Sequence, residues 1–307
     1  MNNSSRPPVT GLALGSGASR GWSHIGVIKA LLAARIELDI VCGTSVGAMV
    51  GGAYVAGNLD ELERWVLGSS RLDVLQFLDI KFSQAGFINI ERLNRFLQAH
   101  VAAADVRIEK LHKKYLAVCA DLDTGREVWR KEGGLTDAIR ASMAMPGLFP
   151  AVRDNQRWLV DGGLVNPVPV TACRALGADV VIGVNLNSDI VGKRIKRQKS
   201  VALKKDEGVL GNLKKQAREY SGSLFAQDYD EESPPGLLDT ISSSINIFQH
   251  QITSSRLASD PADVLISPKL GDIGILEFQR AAEAIKKGED CANSAMAEIR
   301  RAAGKDT

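Results

Sequence analysis

The chain has 307 residues, 45% apolar and 24% charged, with a formal net charge of +2. That is the composition of a soluble globular protein, long enough for one large α/β domain or two smaller ones. The near-neutral charge argues neither for nor against nucleic acid, and no nucleic-acid partner is expected. Four cysteines (Cys42, Cys119, Cys173, Cys291) stand far apart with no CxxC pair. They read as buried free thiols and exclude a disulfide framework or a zinc site. Met1 to Thr10 lacks the charged start and apolar stretch of a signal peptide. No uninterrupted run of 18 apolar residues suggests a spanning helix, so a cytoplasmic protein is expected.

In chain order, Val9 to Leu14 reads as a buried strand ending in a glycine-rich turn. Trp22 to Arg35 has helical spacing at Ile25, Ile28, Leu31 and Leu32. Leu38 to Cys42 is a second strand, and Val46 to Ala56 a small-residue helix stopped by Gly57-Asn58. Asp60 is placed to cap the next helix, which carries Leu62, Trp65 and Val66. Asn89 to His100 is amphipathic. Tyr115 to Asp121 is a strand, with Glu127 to Arg130 pairing near it. Thr136 to Ala144 is a helix with Thr136 as cap, halted at Pro146-Gly147. Trp158 to Val160 is a short strand running into Asp161-Gly162-Gly163. Val168 to Leu176 is helical and Val180 to Leu186 a strongly apolar strand. Strands alternating with helices predict an α/β sheet covered on both faces.

After Asn187 the character changes. Ten lysines and arginines crowd Lys193 to Arg218 against two acids, Asp206 and Glu207, and an acidic Ser/Pro-rich patch follows at Asp228 to Pro235. Regular structure resumes near Leu237, with a strand at Val264 to Ser267 and a helix from Glu277 to Ala303 broken at Gly288. The expected organisation is a core over 9–186, a charged insertion over 187–236, and a return to the same domain over 237–303. The basic segment has two readings of equal weight: peripheral contact with an anionic inner membrane, at about 1 kcal/mol per cation near the surface, or a solvated insertion neutralised by the acidic stretch.

Two loops carry chemistry. Gly43-Thr44-Ser45-Val46-Gly47 follows a strand and precedes a helix, as a nucleophile elbow requires. Its glycines permit a tight turn, and the helix N-terminus favours negative charge at the Ser45 hydroxyl. Alone, such a match is weak. Gly15-Ser16-Gly17-Ala18-Ser19-Arg20-Gly21 reads either as a dinucleotide loop or as an oxyanion hole of backbone N–H groups. A dinucleotide fingerprint would need glycine at Arg20 and an acid after the second strand, where Gly43-Thr44-Ser45 stands instead. Arg20 adds positive charge beside the loop.

A serine needs a base. Of His24, His100, His112 and His250, only His250 follows in the order of an α/β-hydrolase triad, and Phe248-Gln249-His250-Gln251 reads as an ordinary exposed helix. The roughly 44 residues before Ser45 are also too few for the strands that precede the elbow in that fold. Asp161 is the better candidate. It ends an apolar strand, and two flexible residues follow, although an Asp-Gly turn alone is common.

With these blocks together, the chain resembles the patatin-like phospholipases, in particular bacterial RssA-type members related to neuropathy target esterase. The resemblance lies in Leu12 to Gly21 with His24 to Val27, Gly43 to Ala48, Ala141 to Pro150, and Asp161 to Pro169, spread over about residues 9 to 186. It implies a three-layer α/β/α fold with a mostly parallel central sheet. It also implies a Ser–Asp dyad without histidine: Ser45 as nucleophile, Asp161 as base, and the backbone of Ser16, Gly17 and Ala18 as oxyanion hole. Gly15, Arg20, Gly21, Gly43, Gly47, Gly162 and Gly163 would support them. Where the family carries a run of glycines, Ser16 and Ala18 replace two, which narrows the room for a bulky head group. The implied substrate is a lipid ester, with no metal and no cofactor, and no oligomeric state is implied. Two other readings stay open: a soluble carboxylesterase or thioesterase, and a non-catalytic lipid-binding regulatory protein. Ala141 to Pro150 is expected to pack behind the site, and Trp22 to line the cleft or cap the first helix.

Overall fold

The computed structural model describes residues 6–68, 90–190 and 237–305; the basic and acidic stretches between Lys193 and Pro235 lie outside them. Eight strands form one sheet: β1 Thr10–Leu14, β2 Ile40–Thr44, β3 Lys114–Asp121, β4 Glu127–Arg130, β5 Val152–Asp154, β6 Arg157–Asp161, β7 Val180–Val184 and β8 Val264–Ile266. Its hydrogen-bonded path is β5-β6-β3-β2-β1-β7-β8, with β4 also paired to β3. The run β3-β2-β1-β7-β8 is parallel. The pairs β3–β4, β3–β6 and β5–β6 are antiparallel. Around the sheet lie α1 Ser23–Ala33, α2 Val46–Val55, α3 Leu59–Gly68, α4 Ile90–His100, α5 Leu135–Ser142, α6 Val170–Ala175, α7 Leu237–Ser259, α8 Ala281–Ser294 and α9 Met296–Ala302.

Side-chain alternation along the strands explains the layering, because successive residues face opposite ways. Leu12, Leu14, Val41, Tyr115, Ile182 and Val184 join one buried cluster with residues of α1 to α5, α8 and α9. Ala13, Ile40, Cys42, Leu116, Val118 and Val181 join a second with Val170 and Cys173 of α6, and Leu257 of α7 packs against it. Both sheet faces are therefore dry, which is why the parallel strands read as continuous apolar runs. The result is the expected three-layer α/β/α arrangement. All four cysteines are free, three of them buried. Among the described residues, no helix is long and apolar enough to cross a membrane.

Several local expectations shift. The helix expected to be capped by Thr136 begins at Leu135 after Gly134, without a side-chain cap. Asp60 is not a cap: α3 starts at Leu59, and Asp60 sits in its first turn, where its charge still suits the helix dipole. The second strand runs from Ile40 to Thr44 rather than from Leu38, and Trp22 belongs to a short 3-10 turn before α1. Strand β5 carries no signal, being three residues long and only half-buried.

The expected break at Gly288 is absent: α8 runs through it, and the chain turns only at Ala295. Gly288 has a packing role instead. A Cβ there would lie 2.1 Å from the Ser23 carbonyl oxygen, and one on Gly26 would lie 2.0 Å from that of Ile285. Helices α1 and α8 thus meet backbone to backbone, and β8 pairs with β7, so residues after Leu237 complete the same sheet and its cover.

Candidate active site

The register of β3 explains how two distant residues meet. Ala117 and Val118 pair with both β2 and β4. Cys119 and Ala120 pair with both β6 and β4. Strand β4 therefore takes one edge of β3, and β2 and β6 share the other, end to end. Strand β2 ends at Thr44 and β6, running the opposite way, ends at Asp161. Ser45 and Asp161 are consequently brought tip to tip, with Ser45 Oγ donating to Asp161 Oδ2 at 2.6 Å.

Ser45 has φ +58° and ψ −125°, a backbone conformation that costs a non-glycine residue of order 1–3 kcal/mol. Three contacts hold it. The Ser45 N–H donates to Ser142 Oγ at 2.9 Å, and that hydroxyl donates in turn to the Val118 carbonyl at 2.6 Å. Thr44 Oγ1 donates to the Asn166 carbonyl at 2.8 Å. Gly47 lets α2 approach β1 so closely that a Cβ would lie 2.2 Å from the Leu14 carbonyl oxygen. Ser45 stands at the N-cap of α2 but makes no side-chain cap bond. A serine there normally accepts from the helix N–H groups; this hydroxyl is turned to Asp161 instead.

Asp161 is 1% exposed. Its Oδ1 accepts from the Gly163 N–H at 2.7 Å, and its own N–H donates to the Ala144 carbonyl at 3.0 Å. Burial pushes its pKa up from 3.8 to about 6, against the hydrogen bonds from Ser45 and Gly163, which favour the ionised form. Gly162 is required by the close passage of β3, since a Cβ would lie 2.2 Å from the Val118 carbonyl oxygen. Gly15, Gly21, Gly43 and Gly163 stand at similar close approaches, to Val184, Val46, Ala48 and Gln249 respectively.

The glycine-rich loop splits into used and unused donors. Gly15 N–H donates to the Val184 carbonyl, and Ser16 N–H to that of Pro167 at 2.8 Å. The Ser16 N–H is thus committed to the Asp161–Pro169 segment, contrary to its expected place among the oxyanion donors. The N–H groups of Gly17 and Ala18 have no partner among the described residues. Ala18 has φ +49°, the left-handed region that favours glycine. Arg20 is buried and clamps the loop: its Nε donates to the Gly17 carbonyl at 3.2 Å, and Nη2 to Asn246 Oδ1 of α7 at 3.0 Å. Burial lowers its pKa to about 10 against the opposing charge of Asp189, so it remains a cation at neutral pH.

Residues of the resembling blocks to which the sequence assigned no role complete the frame. His24 is fully buried, and its Nε2 lies 2.7 Å from the Gly15 carbonyl oxygen. Burial drives its pKa down to about 4. Since a carbonyl only accepts, the neutral ring carries its proton on Nε2 and fixes Gly15. Ser142 stands in a block expected only to pack. Asn166 ties the Asp161 loop to Glu127 at 2.8 Å, and Glu127 pairs with Arg256 of α7 at 3.0 Å. Trp22 does not line the cleft: it takes the N-cap position of α1 without a side-chain cap bond and is buried against Phe278, ring centroids 6.1 Å apart. No histidine hydrogen-bonds to Ser45 or Asp161 among the described residues; His100 sits beside Glu61 at 3.2 Å.

Comparison with known proteins bears on this arrangement. The family model for patatin-like phospholipase matches residues 12–174. An uncharacterized NTE family protein of Mycobacterium bovis is 31% identical across 338 aligned residues, which cover 96% of this chain and 93% of that protein. Lysophospholipase NTE1 of Yarrowia lipolytica is 37% identical over 183 residues, 58% of this chain and 13% of that protein. Patatin-like phospholipase domain-containing protein 6 of Mus musculus is 33% identical over 185 residues, with the same shares. The chain thus spans only a small part of the last two. The matched span holds the end of β1, the loop after it, the Ser45 elbow and the Asp161 turn, and the chain belongs to the patatin-like phospholipase family.

Proposed function

We propose that the protein is a serine acyl hydrolase that cleaves phospholipid or lysophospholipid esters through Ser45 and Asp161. The observation that carries this reading is the 2.6 Å hydrogen bond from Ser45 Oγ to a buried carboxylate. Asp161 accepts the Ser45 proton as Oγ attacks the ester carbonyl carbon. The N–H groups of Gly17 and Ala18, beside the N-terminus of α2 and the Arg20 charge, face the developing oxyanion. The intermediate collapses with loss of the alcohol or lysolipid, which takes the proton from Asp161. Water then attacks acyl-Ser45, Asp161 takes its proton, and fatty acid leaves as the proton returns to Ser45 Oγ. The raised Asp161 pKa makes it a better base than an exposed aspartate.

Family membership and the lysophospholipase name of one relative support a single-chain phospholipid as the first substrate to try. Purified protein is expected to release fatty acid from lysophosphatidylcholine micelles, and folded Ser45→Ala to release none. Equal release by both would refute the reading, and turnover of short water-soluble esters alone would assign a carboxylesterase instead. We further infer a cytoplasmic location with peripheral membrane contact, supported by the basic run Lys193 to Arg218. Flotation with phosphatidylserine vesicles should weaken steeply with salt; salt-independent flotation, or none, would contradict it.

A further inference from the structure

Gln249 belongs to α7, in a segment whose sequence reads as an exposed helix. It is 3% exposed and lies in the site. A Cβ built on Gly163 would sit 2.5 Å from Gln249 Nε2, 3.0 Å from Asp161 Oδ1 and 3.2 Å from Ser16 Cβ. The amide, the carboxylate and the glycine-rich loop therefore close around Gly163 with no room for a methyl group between them. Helix α7 is held in this position from two sides: Arg20 binds Asn246, and Arg256 pairs with Glu127. Asn246, Gln249, Thr253 and Arg256 follow the spacing of one helix face, so α7 turns polar side chains inward over the site.

The Gln249 side-chain amide makes no hydrogen bond to any described residue. Its two N–H donors and one carbonyl acceptor are uncommitted and keep contact with solvent although the side chain as a whole is buried. The amide cannot act as a base, and Asp161 already fills that role. A neutral group able both to donate and to accept, set beside the base and the acyl carbonyl's loop, suits a water molecule.

We propose that Gln249 is the positioning residue for the hydrolytic water of the deacylation step. This rests on the Ser45–Asp161 reading. The amide holds the water so that its oxygen points at the carbonyl carbon of acyl-Ser45 and one O–H at Asp161. The water oxygen bonds to that carbon, Asp161 receives the proton, the carbon–Oγ bond breaks, and the proton passes to Ser45 Oγ. Acylation uses no water, so the first half-reaction does not need Gln249.

The test separates the half-reactions. Enzyme in excess over p-nitrophenyl butyrate gives nitrophenol release as the acylation rate and intact mass as the lifetime of the acyl adduct. Gln249→Met keeps the side-chain length and removes the amide; Gln249→Asn withdraws it by one methylene while keeping the site polar. Both are expected to slow adduct decay about ten-fold or more, with nitrophenol release within about two-fold of wild type. Equal slowing of both steps, or unchanged decay in variants with native circular dichroism, overturns the proposal. Failure of the underlying reading looks different: wild type would then turn over ester with no adduct passing through Ser45.

Discussion

Asp161 sets the pH behaviour at the residue scale. It acts only when ionised, and its pKa lies at about 6 instead of 3.8. Activity on a soluble ester should therefore rise tenfold per pH unit below about 6 and level off above it; a flat profile between pH 5 and 8 would contradict this. Stability runs the other way. A carboxyl whose folded pKa is raised holds its proton more tightly when folded, so stability falls as pH climbs from 3.8 towards 6, by an amount of order 3 kcal/mol. Asp161→Asn keeps the shape without the buried charge. It should abolish turnover yet melt higher than wild type at pH 8, with the gap closing towards pH 4; an unchanged gap across that range would count against a buried charge at Asp161. Ala18 is strained too, like Ser45, at φ +49°. Ala18→Gly should raise stability by about 1 kcal/mol in urea titration, and a loss would mean the methyl group packs usefully.

At the scale of elements, the closest approach is between α1 and α8. Replacing a helix-interior glycine with alanine normally gains about 1 kcal/mol from propensity. At Gly288 the new Cβ would lie 2.1 Å from a backbone oxygen that cannot step aside, and overpacking of that kind costs about 1–3 kcal/mol. Gly288→Ala should therefore lower the urea midpoint, and an increase would mean the helices part easily. This glycine also shows where the sequence is illegible: inside a helical pattern it signals a break, and only the partner helix reveals a packing role. The elements with continuous apolar runs or clear helical spacing were readable, as in β1, β3 and α4, and α2 showed as a small-residue run ended by Gly57-Asn58. Caps were not, because Gly134 starts a helix beside a plausible Thr136, and β5 is too short and too exposed to carry a pattern.

At the scale of the molecule, the site depends on one topological fact: β2 and β6 meet end to end along a single edge of β3. Ser45 and Asp161 were legible as types, each following an apolar strand and flanked by glycine, and the resemblance paired them. Their 2.6 Å contact was not legible, since the antiparallel return of β6 depends on register across more than a hundred residues. The supporting shell was hidden for a related reason. His24, Ser142 and Gln249 lie on elements that read as ordinary helix, and their importance comes from what faces them. The fate of Ser16 likewise depends on Pro167, far along the chain. The central claim is that this sheet arrangement activates one serine through one carboxylate. The most direct measurement is fluorophosphonate labelling followed by peptide mass mapping in wild type, Ser45→Ala and Asp161→Asn. A single adduct on Ser45, absent in Ser45→Ala and formed about a hundred-fold more slowly or worse in Asp161→Asn, is the predicted result. An adduct on another residue, or labelling of Ser45 at an unchanged rate without Asp161, would contradict it.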